Sequence, residues 1–456
     1  MKKYDAVIIG SGCGMNIVDE AVASGLSVAL VDRGPLGGTC PNTGCIPSKI
    51  LISAAERVAE IEEASALGIK AEVRSIDFAF IMERMRKFVR ENQAEMRKGL
   101  ADTKGLDLYE GVGRFTGEYT IEVNDQPIKG DKVFIACGSR PFIPPIKGLE
   151  AVDYLTNETV LQLSQRPESV IIIGGGYIAV EYGHFLAAMG VKVTILEMAD
   201  RLILSEDVEI AELLERRLSQ RMDVHTGVQA EEFRADGGGV TVTVNDAKSG
   251  SKRELKAQKV LVAVGRRSNA DTLALDNTGV EVDQRGFVRV NEYLETTKKN
   301  IFAVGDANGQ QMFTHVANVE ASLVADNAIH GSKTRMDYSA APHAVYSHPQ
   351  IASVGLTEEA ARKANKVLVG RTRYFDVAQG EAMMEKDGFA KAVVEASSGK
   401  LLGFHLIGPY APILIQEVIN AMASGGGIDQ IQTSMHIHPS ITELIPVVLG
   451  SLRDAA

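Results

Sequence analysis

The stretch Gly38-Thr39-Cys40-Pro41-Asn42-Thr43-Gly44-Cys45-Ile46-Pro47-Ser48-Lys49 holds two of the four cysteines in this 456-residue chain. Thiols this close suit three chemistries: half of a metal site, a structural disulfide, or a pair that opens and closes during turnover. A zinc site joins such a half-site to a second Cys or His cluster. The remaining cysteines, Cys13 and Cys137, lie far apart in sequence, so no metal is expected. A permanent disulfide is uncommon in a reducing compartment, and four cysteines are too few for a secreted disulfide scaffold. A redox pair fits best. A glycine allows the turn, and a helix starting near Ile46 stabilises a thiolate at its N-terminus.

Two repeated units are placed to serve such a pair. Val7-Ile8-Ile9 reads as a buried strand, followed by Gly10-Ser11-Gly12-Cys13-Gly14, a helix, and a second strand, Val28–Val31, that ends at Asp32. Val170–Ile173 leads likewise into Gly174-Gly175-Gly176-Tyr177-Ile178-Ala179, a helix, and a strand, Val191–Leu196, that ends at Glu197. The acid follows the first glycine by 22 residues in one unit and 23 in the other. Such a turn lets a pyrophosphate approach the backbone at a helix N-terminus, and the acid accepts ribose hydroxyls. The first unit departs from the pattern, because Met15 stands where a third glycine normally permits close helix–strand packing. That helix is expected to sit differently; Ala179 fills the equivalent place in the second unit.

Between the units, Ala54–Ala66 and Phe78–Leu100 read as helices. Buried strands are expected at Lys132–Ala136 and Lys259–Gly265. From about 336 the texture changes: strands at Ala390–Glu395 and Leu401–Ile407, a helix over 411–424, and a final His/Pro segment. The net charge is −11 without a basic block, which argues against nucleic acid or an anionic membrane as partner. The N-terminal apolar run is interrupted by Asn16, Asp19 and Glu20, and no run reaches transmembrane length. A cytoplasmic protein is expected.

The segment Gly37-Gly38-Thr39-Cys40 to Cys45-Ile46-Pro47-Ser48-Lys49 resembles the active-site signature of the flavin-dependent pyridine nucleotide-disulfide oxidoreductases. The likeness covers essentially the whole chain. Thr296–Asp306 is similar to the family's second flavin motif, and Ala136-Cys137-Gly138-Ser139-Arg140-Pro141 to its ATGSRP crossover, with Cys137 in place of Thr. Val264-Gly265-Arg266-Arg267 resembles the return crossover. His436-Ile437-His438-Pro439, followed by Glu443, looks like the C-terminal HPxxxxE. His438 and Glu443 make a base with an orienting carboxylate, as thiol chemistry requires. His348-Pro349 lacks that acid, Ser353 standing in its place, and reads as structural.

The resemblance implies an α/β fold with two Rossmann-like dinucleotide-binding domains and a C-terminal α+β dimerisation domain. Residues 1–145 and 266–335 would bind FAD, 146–265 NAD, and 336–456 would form the interface. It implies FAD contacts from Gly10, Gly12, Gly14 and Asp32, from Gly38, Thr39 and Lys49, and from Gly113, Gly138, Asp306 and Thr314. NAD contacts would come from Gly174, Gly176, Tyr177, Ile178, Glu197, Val228 and Gly265. Cys40 would be the interchange thiol and Cys45 the flavin-facing one, with Lys49 and Glu181 an ion pair near the flavin. His438 would act across the interface of an obligate homodimer.

Glu197 favours a ribose diol over a 2′-phosphate, hence NAD(H), although Arg201 follows four residues on. His436-x-His438-Pro, with Glu197, resembles NAD-linked dihydrolipoyl dehydrogenase. That is the first expectation, with lipoamide as dithiol/disulfide substrate and a 2-oxo acid dehydrogenase complex as partner. Gly12–Asn16 and Glu181–Leu186 resemble the mycothione-reductase branch, and Tyr177 sits where glutathione-reductase-like members gate the nicotinamide pocket. An NAD(P)H-dependent reductase of a low-molecular-weight thiol disulfide is therefore the alternative. A non-catalytic flavoprotein sensor or scaffold is the third reading. Mercuric reductase and high-molecular-weight thioredoxin reductase need a C-terminal cysteine relay, and no cysteine follows Cys137. Soluble transhydrogenases of this fold lack the cysteine pair.

Overall fold

Ala6-Val7-Ile8-Ile9 is apolar on both sides of the backbone because the strand Lys2–Ile9 lies mid-sheet. The computed structural model describes residues 1–454 and divides into two units. The first unit comprises residues 1–48, 82–142 and 265–337. In it Lys2–Ile9 pairs in parallel with Val28–Asp32 and with Gln126–Ile135. Leu106–Glu110 extends one edge in parallel, and Ile301–Ala303 adds to the end of Gln126–Ile135. Side chains alternate across this sheet. Ile8, Leu30 and Phe134 pack with Ile17, Val18 and Ala21 of the helix Gly14–Ala23. Val7, Ile9, Val31 and Ile135 face the other cluster, with Phe115 and Ile121.

The second unit comprises residues 49–81, 143–264 and 338–454 of the described chain. Its parallel sheet runs in the order Asp223–Thr226, Lys192–Glu197, Ser169–Ile173, Lys259–Val262, Tyr154–Leu155. An antiparallel sheet of Val228–Asp236, Gly239–Asp246 and Lys252–Ala257 packs on it through Phe233, Val242 and Val244. A six-stranded antiparallel sheet follows, in which Ile351–Gly355, Leu401–Ile407 and Phe389–Glu395 are the inner strands. Helices Ala411–Ala423 and Leu444–Gly450 bury Ile415, Val418, Ile445 and Val448 against Phe404 and Leu406. The fold is thus α/β, two Rossmann-type halves followed by a C-terminal α+β segment.

The helix expected at Ala54–Ala66 begins earlier, at Cys45, and ends at Glu63 in a short 3₁₀ turn, Ala64–Leu67. The next runs Phe78–Asp102. Met15 does not prevent close packing of the first helix, because Gly14 makes the near approach: a Cβ there would lie 2.8 Å from Ile8 Cγ2. Met15 itself packs against the adjoining core. No helix among the described residues is long and apolar enough to cross a membrane.

Candidate functional site: paired glycine turns and a dithiol loop

The two glycine turns are built alike. Gly10 N–H donates to Val31 O and Gly174 N–H to Leu196 O, both at 2.8 Å. Gly10 has φ +109° and Gly174 φ +107°. A Cβ at Gly10 would sit 2.1 Å from Ala136 O, and one at Gly174 would sit 2.4 Å from Ala263 O, so neither site admits a side chain. Each acid closes its own turn. Asp32 accepts from the Ser11 N–H and hydroxyl, both at 2.6 Å, and from Gly34 N–H at 2.5 Å. Glu197 accepts from Gly175 N–H at 2.5 Å and Ala199 N–H at 2.7 Å. Gly176 is exposed, with open space where a Cβ would stand. Ile178 is half-buried, and Val228 belongs to the apolar core at the start of its strand.

Around the first turn the chain builds a glycine-lined cradle. Gly38 has φ +68°, and a Cβ on it would lie 2.9 Å from Gly12 Cα. Ser11 Oγ accepts Gly37 N–H at 2.8 Å, which holds the loop against the turn. Asn42, buried, donates to Leu36 O at 2.8 Å and Gly38 O at 2.7 Å. The Asp306 carboxylate takes the Ser139 hydroxyl, and Arg266 Nε stands 3.5 Å away while donating to Ser139 Oγ at 2.7 Å. Gly138, at φ +67°, starts the short strand Ser139–Pro141 that pairs with Arg266–Ser268. Gly113 lies against strand side chains: a Cβ there would be 2.9 Å from Val31 Cγ1. Backbone N–H groups, a helix N-terminus and two carboxylates on one bare backbone wall suit a dinucleotide. Thr39 and Cys40 lie in the helix Thr39–Thr43, whose N-cap is Gly38.

Cys45 opens the helix Cys45–Glu63, and its Sγ lies 3.3 Å from Oγ1 of Thr314, the first residue of the helix Thr314–Ala325. A sulfur at a helix N-terminus is favoured as the thiolate. Burial pushes the Cys13 and Cys137 thiols up to about 12, which keeps these two protonated. Among the described residues no group of three or more His, Cys, Asp or Glu side chains is placed to hold a metal ion.

In the second unit Lys49 Nζ donates to both Glu181 oxygens, at 2.9 and 2.7 Å. Glu181 also accepts Tyr346 N–H at 3.0 Å, and the ammonium lies 4.7 Å from the Tyr346 ring centre. His438 Nδ1 lies 2.9 Å from Glu443 Oε1, and the imidazole is 72% exposed. The Ser440 N–H and then the His438 ring hold the Glu443 carboxyl below its usual range. His436 has its own acid, Glu417, at 2.9 Å. Gly265 belongs to the first unit and has φ +127°.

Two features were not reached from the sequence. Glu320, fully buried, accepts Gly305 N–H at 2.6 Å and Asn308 Nδ2 at 2.9 Å, fixing the turn before Asp306. Glu56 and Glu63 meet His184 and His348, a ladder whose only sequence signal is the seven-residue spacing of Lys49, Glu56 and Glu63 on one helix.

A doubled nucleotide turn joined to a dithiol loop defines a pyridine nucleotide-linked thiol oxidoreductase. The chain belongs to the pyridine nucleotide-disulphide oxidoreductases: that family's model matches residues 4–321, and the model for its dimerisation domain matches 341–448. The family is FAD-dependent and uses NAD(P)H. Mycothione reductase of Mycobacterium tuberculosis (strain ATCC 25618 / H37Rv) is 35% identical, covering 99% of this chain and all of that protein. Mercuric reductase of Streptomyces lividans is 35% identical over 97% of this chain and 94% of its own. Dihydrolipoyl dehydrogenase of Synechocystis sp. (strain ATCC 27184 / PCC 6803 / Kazusa) is 34% identical over 97% of each. Among solved structures, the Cu(II) complex of the HOCl-induced flavoprotein disulfide reductase RclA from Escherichia coli matches with a TM-score of 0.88 at 28% identity, over 99% of both chains.

Proposed function

We propose that the chain is a homodimeric, NAD(H)-linked dithiol/disulfide oxidoreductase whose Cys40–Cys45 pair opens and closes, with dihydrolipoamide and lipoamide as its substrate pair. The observation that carries the dithiol chemistry is Cys45 at a helix N-terminus, 3.3 Å from Thr314 Oγ1, on the same unit as the Gly12–Gly38 cradle. Residues 1–145 and 266–335 hold FAD in this reading, 146–265 NAD, and 336–456 the dimer contact. When bound, FAD supplies the two-electron exchange between nicotinamide and thiols.

The chain's own residues do the sulfur chemistry. In the reducing direction the Cys40 thiolate attacks one sulfur of the substrate disulfide, and the other sulfur leaves as a thiolate. His438, oriented by Glu443, protonates that leaving sulfur across the dimer interface. The Cys45 thiolate then attacks Cys40 Sγ; the second substrate sulfur leaves, and a Cys40–Cys45 disulfide forms. Oxidation of a dithiol runs these steps backwards, with His438 accepting protons. Lys49, held by Glu181, places a fixed cation one helical turn beyond Cys45. The Glu197 carboxylate repels a 2′-phosphate, which supports NAD(H). A cytoplasmic location goes with a cysteine pair that cycles in a reducing compartment.

A second reading, reductase of a low-molecular-weight thiol disulfide, is favoured by Tyr177 at the mouth of the second turn and by the 35% identity to mycothione reductase over 99% of the chain. Anaerobic assays of the FAD-loaded protein separate the two. Fast NAD-linked turnover of lipoamide and dihydrolipoamide establishes the first reading. Negligible lipoamide turnover with strong turnover of one small disulfide overturns it. Cys45→Ser should abolish both.

A further inference from the structure

Ser205-Glu206-Asp207 takes no part in the sulfur chemistry, yet each of its three side chains engages a different element. The Ser205 and Tyr177 hydroxyls hydrogen-bond at 2.6 Å. Glu206 Oε1 meets His343 Nε2 at 2.6 Å, and its Oε2 accepts the Ser353 hydroxyl at 2.6 Å. Asp207 caps the helix Val208–Leu218 by accepting Glu209 N–H and accepts from Lys391 Nζ at 2.8 Å. The Glu206 side chain has no exposure. A buried carboxylate is tolerated only when hydrogen-bonded on all sides, and both of its oxygens are used here. Its imidazole partner, on the strand Pro342–Val345, stacks on the Tyr177 ring at 5.9 Å between centres and 26° between planes. Tyr177 is the first residue of the helix that follows the second glycine turn. Its ring is therefore held from two sides, at the hydroxyl by Ser205 and on a face by His343. A pure packing role would not need a buried acid–imidazole pair, which apolar residues replace at little cost.

We propose that His343 and Glu206 are positioning residues for Tyr177: the buried carboxylate orients the imidazole, the imidazole seats the tyrosine ring, and the seated ring sets how the nicotinamide nucleotide enters the second turn. The proposal rests on the reading of that turn as the nicotinamide nucleotide site.

The test uses the full-length, FAD-loaded protein and calorimetric titration with NAD⁺, which needs no turnover. His343→Ala should weaken NAD⁺ binding about 2- to 10-fold, the range of an aromatic stacking contact. His343→Phe keeps the stack and should restore affinity to within about 2-fold. Glu206→Gln should fall between them. Tyr177→Ala combined with His343→Ala should bind no more weakly than Tyr177→Ala alone, since the imidazole acts through the ring. In steady state the KM for NADH should rise in His343→Ala, while kcat and the KM for the disulfide stay unchanged. NAD⁺ affinity equal to the unaltered protein in His343→Ala overturns the inference alone. So does an equal loss in His343→Ala and His343→Phe, which would mark general damage. If the unaltered protein binds neither NAD⁺ nor NADP⁺, the nucleotide reading fails and this inference falls with it.

Discussion

Replacing His348 with glutamine removes a cation held between two carboxylates. His348 Nδ1 lies 3.3 Å from Glu56 Oε2 and its Nε2 lies 3.0 Å from Glu63 Oε2. Glu56 also meets His184 Nε2 at 3.0 Å, and the two imidazole rings stack 6.1 Å apart. Arg217, on the helix Val208–Leu218, donates to Glu63 at 2.7 Å, and Arg221, just past that helix, donates to Glu62 at 2.8 Å, so this segment brings cations to the acids of the helix Cys45–Glu63. Burial alone would lower the His348 pKa, but the two carboxylates outweigh it and push it from 6.5 up to about 9. At about 1.4 kcal/mol per unit, that amounts to about 3 kcal/mol of stability. From the other side, burial raises Glu56 while His184 and His348 pull it down to about 2. Much of this is the same interaction, and it is counted once. A raised histidine contributes fully below its unfolded value and loses that contribution as the pH climbs through about 9. The native protein should therefore lose about 3 kcal/mol relative to His348→Gln between pH 6 and pH 10. Urea unfolding of both proteins at the two pH values reads this difference, and ring-¹³C NMR of labelled histidines reads the titration directly. A His348 titration near 6.5, or equal pH dependence of the two unfolding midpoints, would refute the reasoning.

Three further outcomes follow from the geometry. Glu181→Gln strips the charge from the buried partner of Lys49 while keeping an acceptor for Tyr346 N–H. It should cost about 2 kcal/mol in urea unfolding, discounted from the full penalty because the Lys49 side chain is 35% exposed. Gly14→Val puts a branched side chain at a site where even Cβ would be 2.8 Å from Ile8 Cγ2; it should destabilise by about 1–3 kcal/mol and lower the ratio of flavin to protein absorbance after purification. Lys391→Met leaves Asp207, Glu209 and Glu358 facing one another without the cation that now lies 2.6–2.8 Å from all three, and should cost about 3–5 kcal/mol. Arg371, bonded to Glu209 and Glu358, and Arg362, bonded to Glu358, are the nearby offsets, so a near-neutral Lys391→Met would mean that they suffice.

Much of the local architecture was legible in the residues. Glycines at positions that demand φ above zero, apolar runs before them and an acid after the next strand place the units Lys2–Asp32 and Ser169–Glu197, because each constraint acts within a single βαβ unit, although the strand expected at Val7–Ile9 begins earlier, at Lys2. Met15 shows the limit of reading a motif by position. The close contact that the third glycine normally makes is made at Gly14, and only the stacking of that helix on Ile8 and Ala136 reveals it. The helix start at Cys45 was legible only from the cysteine loop, where a helix is expected near Ile46; the helical pattern further on reads from Ala54, and the two are one helix.

The cysteine pair, the two glycine turns and their acids belong to the sequence alone. They follow from backbone conformation and short-range spacing, which a chain carries whatever surrounds it. Tertiary structure decided the pairings. Lys49 and Glu181 are 132 residues apart, His184 and Glu56 are 128 apart, and His343 and Glu206 are 137 apart. No periodicity joins such residues. Which side chains meet depends on the rotation of a packed helix and the register of a sheet, and these settle only when the whole core closes.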